Sequence, residues 1–207
     1  MLELFISAFV TLFVVIDPPG CAPIYAGLTH GASAAQRRNM ALRAVAIASI
    51  ILLIFLFFGE SLLGALHIEL DSFRIAGGIM LFWIALEMVF EKRTQRREER
   101  AEKIRATPEI EDVSVFPMAM PMLAGPGAIA AVMLLQNEAQ DFSGTLTVLC
   151  ALVSVLIITA IALIAAGPLM RLLGTRVEAV ITRLLGVLLA ALAAQYVIDG
   201  LRGAFSI

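Results

Sequence analysis

Six long apolar runs, nearly free of charge, limit what this chain can fold into. They are Leu4 to Leu28, interrupted only by Asp17; Ala44 to Phe58; Ile75 to Phe90; Val113 to Gln136; Leu146 to Met170; and Leu184 to Ile198. A hydrocarbon layer about 30 Å thick is crossed by roughly 20 apolar residues in a helix. Inside that layer each backbone N–H and C=O must find a partner within the protein, which favours helices for isolated runs of this kind. Composition agrees: 60% of the 207 residues are apolar and 15% charged, against roughly 25% charged in an ordinary soluble domain. The expected fold is an all-α membrane protein with six transmembrane helices. The opening run lacks a basic leader, since Glu3 is its only early charge, and it continues through Asp17-Pro18-Pro19-Gly20 without a small-residue cleavage pattern. It is read as a retained first span.

Lys and Arg orient the chain. One side of the expected membrane carries only Arg74 and Arg202. The other carries Arg37, Arg38 and Arg43, then Lys92, Arg93, Arg96, Arg97, Arg100, Lys103 and Arg105, then Arg171, Arg176 and Arg183. The basic side belongs in the cytoplasm, so both termini are expected outside and residues 91–112 form a charged cytoplasmic linker. A net charge of −2 gives no reason to expect a nucleic-acid partner. The expected partner is the lipid bilayer, and the oligomeric state is left open.

The chain repeats itself. Asp17-Pro18-Pro19-Gly20 aligns with Ala124-Gly125-Pro126-Gly127; Gly59 and Leu62-Leu63-Gly64 align with Gly167 and Leu172-Leu173-Gly174; Arg74-Ile75-Ala76-Gly77 aligns with Arg183-Leu184-Leu185-Gly186. These landmarks keep one order and nearly one offset. They suggest a three-helix repeat over 1–90 and a second over 113–207. Three is odd, so the second repeat is expected to be inverted, as in many secondary transporters whose substrate sites lie between the halves.

Helices 1 and 4 are expected to break at their Pro-Gly motifs. Proline lacks an N–H and disfavours the α conformation in the residue before it, which pushes Asp17 and Pro18 towards extended backbone and lets a new helix restart with Pro19 or Pro23 in its first turn. Phe116-Pro117, Met120-Pro121 and Gly125-Pro126 do the same in the fourth run. Non-helical backbone at membrane depth must be buried or line a watery cavity, and a restarted helix offers unpaired N–H groups and a positive dipole end to an anion. The candidate substrate-binding residues are therefore Asp17, Pro18, Pro19, Gly20, Pro121, Gly125, Pro126 and Gly127, the glycines letting a ligand approach the backbone. On this view Gly20→Val and Gly127→Val block the cavity and leave stability intact. Asp17 is either a functional intramembrane carboxylate or a helix cap.

Other residues receive lesser roles. Arg74 and Arg183 open the third and sixth runs, and with Gly77 and Gly186 are candidates for gating or close helix packing. Glu87 is expected to reach the cytoplasmic surface, and Gln195 and Tyr196 to bond neighbouring helices. Cys21 and Cys150 are read as small buried residues, and His30 and His67 as interfacial ones. No catalytic set, metal site or cofactor is expected.

Phe73-Arg74-Ile75-Ala76-Gly77-Gly78, Pro117-Met118-Ala119-Met120-Pro121 with Ala124-Gly125-Pro126-Gly127, Arg183-Leu184-Leu185-Gly186 and the Asp-Pro-x-Gly at Asp17 resemble the MarC family, across essentially the whole chain. The resemblance implies a bacterial or archaeal cytoplasmic-membrane protein of about six spans, distantly similar to LysE-type exporters, with transport of small neutral amino acids as its SnatA-like members carry out. The expected function is thus secondary transport of a small zwitterionic solute, coupled to a proton or sodium ion or driven by the solute's own gradient, since there is no Walker A sequence. The alternatives are a lipid or polyprenyl-phosphate carrier, another small-solute or drug exporter, an intramembrane enzyme, or a purely structural membrane protein.

Overall fold

The computed structural model describes residues 1–90, 92, 96, 99, 112–139 and 141–205, and for 169–179 the backbone alone. The interleaved charges expected over 91–112 thus lie, apart from Lys92, Arg96, Glu99 and Asp112, outside the described residues. What is described is helical, with no strand: α1 (Leu2–Ile16), α2 (Pro18–Leu28), α3 (Ala34–Ala65), α4 (Leu70–Val89), the irregular helix α5 (Ser114–Leu123), α6 (Pro126–Glu138), α7 (Phe142–Ile164) and α8 (Ala166–Phe205). Five stretches are long and apolar enough to cross a bilayer, and α5 with α6, bent by 51° at their junction, makes a sixth if the pair counts as one span.

Local chemistry sets the helix starts. Ser33 and Gln36 bond reciprocally at the head of α3, the Ser33 N–H donating at 2.9 Å and the Gln36 N–H at 3.3 Å, a capping box that satisfies two first-turn donors. Asp141 accepts the Gly144 N–H at 2.6 Å and starts α7.

The final two elements differ from expectation. The fifth run was expected to extend to Met170, but α7 stops at Ile164 and α8 continues unbroken from Ala166 to Phe205. Gly167 and Pro168, inside the expected fifth run, lie in the first turn of α8. Proline is tolerated there because its missing N–H would have no helical partner in that position.

α4 and α8 form the most extensive helix pair. A methyl group on Gly78 would sit 2.9 Å from the Ala193 carbonyl oxygen, one on Gly186 3.1 Å from that of Ala85, and one on Gly200 2.8 Å from that of Asp71. Residue numbers fall along one helix as they rise along the other, so the pair is antiparallel. Lipid tails are as apolar as leucine, so such helices associate through close packing, which small residues permit. α1 lies along α7 in the same direction, with the sulfur of Met1 beside the hydroxyls of Ser143 and Thr147. α5 and α6 likewise follow α3: Arg43 pairs with Asp112 at one end and Gly59 meets Met133 further along.

Leu12, Ile16, Tyr25, Leu52, Leu81, Met88, Met118, Leu134 and Leu152 are fully enclosed at the centre. Large apolar side chains also cover the outside, among them Ile50, Phe57, Trp83, Ile157, Ile161, Leu184 and Leu188. An apolar surface this widespread suits contact with lipid. Cys21 is buried as expected; Cys150 is exposed and faces outward.

Candidate functional site

The first chain break is a single residue. Asp17 adopts the left-handed conformation, φ 59° and ψ 63°, at once ending α1 and capping α2. Neither Asp17 nor Pro18 is extended, as the proline rule alone suggested, and α2 begins at Pro18, with Pro23 inside the helix. Aspartate tolerates the left-handed region because its short polar side chain bonds locally, and here the Gly20 N–H donates to Asp17 Oδ1 at 3.1 Å. Asp17 is only 2% exposed, and a methyl group on Gly20 would fall 2.3 Å from its carboxylate. The space that glycine leaves at this position is therefore filled by the cap, and it is not open to a ligand.

The second break is wider. Phe116 and Met120, each followed by proline, are extended within α5, as the steric clash with the proline ring requires. The bonds across these kinks span five residues, Met118 N–H to Val113 C=O at 3.2 Å and Ala124 N–H to Ala119 C=O at 2.9 Å. α6 then opens with Gly125 and Pro126 and no side-chain cap. First-turn N–H groups have no partner in their own helix, and Gly127 and Ala128 carry two of them.

Both residues line a cleft of about 160 Å³, together with Val15, Ile84, Glu87, Arg96, Pro121, Met122, Gly125 and Pro126. Drug-sized ligands occupy roughly 300–1,000 Å³, so this space suits a small solute. Of the eight candidate binding residues, Pro121, Gly125, Pro126 and Gly127 line the cleft, and Asp17, Pro18, Pro19 and Gly20 do not. The first break still adjoins it through Val15, two residues before Asp17, whose side chain would lie 3.5 Å from a methyl group on Gly127; Ile84 would be at 2.2 Å. A side chain at position 127, like one at position 20, thus meets the protein's own groups first, the end of Ile84 and the Asp17 carboxylate. Behind the same turn is an almost wholly apolar groove of about 380 Å³, lined by Phe73, Met80, Met120, Ala124, Ile129 and Ala130 and again by Pro121 and Pro126.

Glu87 is the site residue that sequence reasoning missed. It is 9% exposed and lines the cleft rather than reaching a surface. Trp83 Nε1–H donates to its Oε1 at 2.7 Å, and Arg96 Nη1 approaches the same atom at 2.8 Å. The available signal was its isolation: it is the only acidic residue of α4 after Asp71, and an ionisable group inside a span is costly unless it has a purpose.

The candidates for gating or packing fall into two sets. Gly77 packs against Leu134 and Ala130 of α6, and Gly186 against Ala85, Met88 and Val89 of α4. Arg74 is the fifth residue of α4 and is half-buried: its guanidinium donates to Asp71 Oδ1 at 2.8 Å and to Asn137 Oδ1 at 2.5 Å. Near it, Tyr196 of α8 lies beside Glu138 at the end of α6, whereas Gln195 bonds Asp199 within α8 at 2.9 Å. Arg183 lies within α8 and engages other groups of the protein.

A family model described as "MarC family integral membrane protein" matches residues 2–205. Similar proteins include a UPF0056 membrane protein of Methanocaldococcus jannaschii, 37% identical over 98% of both chains. Another, from Archaeoglobus fulgidus, is 36% identical over 97% of this chain and 93% of its own. The UPF0056 membrane protein YhcE of Escherichia coli is 34% identical over 95% and 91%. No solved structure matches the chain.

Proposed function

The chain belongs to the MarC family of integral membrane proteins, and from that premise we propose that it is a secondary transporter of small neutral amino acids, binding them in the cleft at the head of α6. The observation that carries this reading is the contrast between the two breaks. α2 has its own carboxylate, Asp17, on its first turn, while α6 has no side-chain cap and opens onto the cleft. A helix N-terminus favours an anion through its free N–H groups and dipole, and at α6 the solute's carboxylate supplies it.

We infer further that the two halves, 1–90 and 113–207, are inverted repeats joined by a cytoplasmic linker, with both termini outside. The pairing of helices supports this. α1 and α2 accompany α7 as α5 and α6 accompany α3; α2 touches α8 as α6 touches α4; α4 and α8 pair antiparallel. Each of these contacts, though not every helix contact, has a counterpart if the halves exchange places under a two-fold axis in the membrane plane. Such repeats put the solute near the midplane and permit alternating access by rocking one half on the other.

The direct test is flux. Purified protein in liposomes is expected to exchange labelled alanine, glycine and serine, faster with an imposed proton or sodium gradient if an ion is coupled. No flux of any of the three above that of protein-free liposomes ends the proposal. A second reading, a carrier of a lipid phosphate, draws support from Arg96 in the cleft and from the adjoining apolar groove. It ranks lower because Glu87 already neutralises Arg96. It predicts movement of a labelled polyprenyl phosphate between leaflets in the same liposomes.

A further inference from the structure

In the Glu87–Arg96 pair the buried member is the carboxylate. Its side chain is 11% exposed and that of Arg96 is 56% exposed. The cation comes from beyond the end of α4, reaches over the cleft and meets Oε1, which Trp83 also holds in place. A buried carboxylate left alone is costly, so it demands a positive partner. A partner with only a structural purpose would be expected from a helix packed against α4. Here it comes instead from a half-exposed arginine, whose own return to water costs little provided that another cation takes its place on the buried carboxylate. Among the described residues the other lining side chains carry no charge, so Glu87 is the one anionic group among them, and Arg96, the one side-chain cation among them, is already upon it.

We propose that Glu87 is the subsite for the primary ammonium group of a small solute, and that Arg96 is a built-in cation that holds the subsite while the cleft is empty. An alkylammonium has three donors; one replaces the arginine at Oε1, and Trp83 keeps the carboxylate oriented throughout. Entry of solute displaces the Arg96 guanidinium from Oε1 of Glu87. The inference rests on the amino-acid reading for the identity of the solute, while the subsite itself is open to any small primary ammonium.

The test uses the full chain in detergent and calorimetric titration with L-alanine and, separately, propylammonium. Arg96→Ala and Arg96→Gln are expected to bind both about tenfold more tightly than the wild type, because apparent affinity falls with the fraction of molecules whose site is closed. Glu87→Gln is expected to bind neither. Arg96→Ala strips the buried carboxylate of its partner and risks unfolding; Arg96→Gln keeps a donor within reach and carries the test in that event. Equal or weaker binding of propylammonium by the folded Arg96 variants, or undiminished binding by Glu87→Gln, overturns the proposal. Propylammonium binding that strengthens without Arg96 and vanishes without Glu87, with no binding of alanine, supports the subsite and rejects the amino-acid reading instead. Alanine binding and flux that persist in Glu87→Gln keep the amino-acid reading and reject the subsite.

Discussion

Asp17 combines two requirements that rarely meet in one side chain: tolerance of a left-handed backbone and an acceptor for the first turn of a helix. Asparagine satisfies both; alanine satisfies neither. Asp17→Asn is therefore expected to leave thermal stability in detergent nearly unchanged. Asp17→Ala should lower it by about 1–3 kcal/mol, combining the lost cap with the left-handed penalty. Equal melting temperatures for the two variants would show that the cap contributes nothing. The same residue marks a limit of sequence inference. Asp-Pro-Pro-Gly announces a break, because prolines cannot sustain a helix ladder, but one residue can turn the chain through either extended or left-handed backbone. The choice was made by the carboxylate's bond to Gly20, three residues on. Glu87 was hidden for a related reason: its partner Arg96 lies nine positions away across the end of α4, beyond the reach of local periodicity.

Among the elements, α4 and α8 give the sharpest expectation. Leucine at position 78 must displace backbone of α8, with Ala193 O at 2.9 Å and Val197 N at 3.0 Å from its first carbon. Gly64, near the end of α3, has nothing within 4 Å of that position. Gly78→Leu should therefore destabilise the protein by more than 2 kcal/mol, in the range of overpacking. Gly64→Ala should stabilise by about 0.5–1 kcal/mol through helix propensity. Thermal melts of the two variants decide the matter, and a harmless Gly78→Leu would refute the close contact. A second expectation concerns the tie between α3 and the entry to α5. The nearby Ser114 side chain and, by a direct bond, the Ser114 N–H, 2.9 Å from Oδ1, draw the Asp112 carboxyl below its ordinary value, helped by Arg43. A depressed carboxylate contributes stability above its unfolded pKa of about 3.9 and loses it as pH falls through the lower folded value. Asp112→Asn should thus melt below the wild type at pH 7, and the gap should close on acidification below about pH 4. A gap independent of pH would assign the effect to packing. The helices themselves were legible wherever a run was long and uncharged. The junction of α7 and α8 was misjudged because the apolar run continues through it to Met170, so hydropathy alone does not mark where one helix ends and the next begins.

At the scale of the whole molecule, the proposed orientation can be checked with native Cys21 and Cys150 replaced by alanine. A thiol reagent that cannot cross membranes, applied to intact cells, should label Arg202→Cys and spare Glu99→Cys. The reverse pattern would turn the molecule over and put the linker outside. That the chain is a helical membrane protein could be read from apolar runs alone, because bilayer thickness and backbone hydrogen bonding leave few choices. How those helices surround a cleft could not, because it depends on contacts such as Val15 with Gly127 and Ile84 with Gly127 between segments far apart in sequence.

Pro121 and Pro126 face two ways: each borders the polar cleft on one side and the apolar groove on the other. The junction of α5 and α6 thus lends the same two rings to a space with polar groups in its wall and to one almost without them. A molecule lodged in the groove would touch two side chains of the cleft wall without entering the cleft, so under the proposed function a lipid tail and a solute would share Pro121 and Pro126.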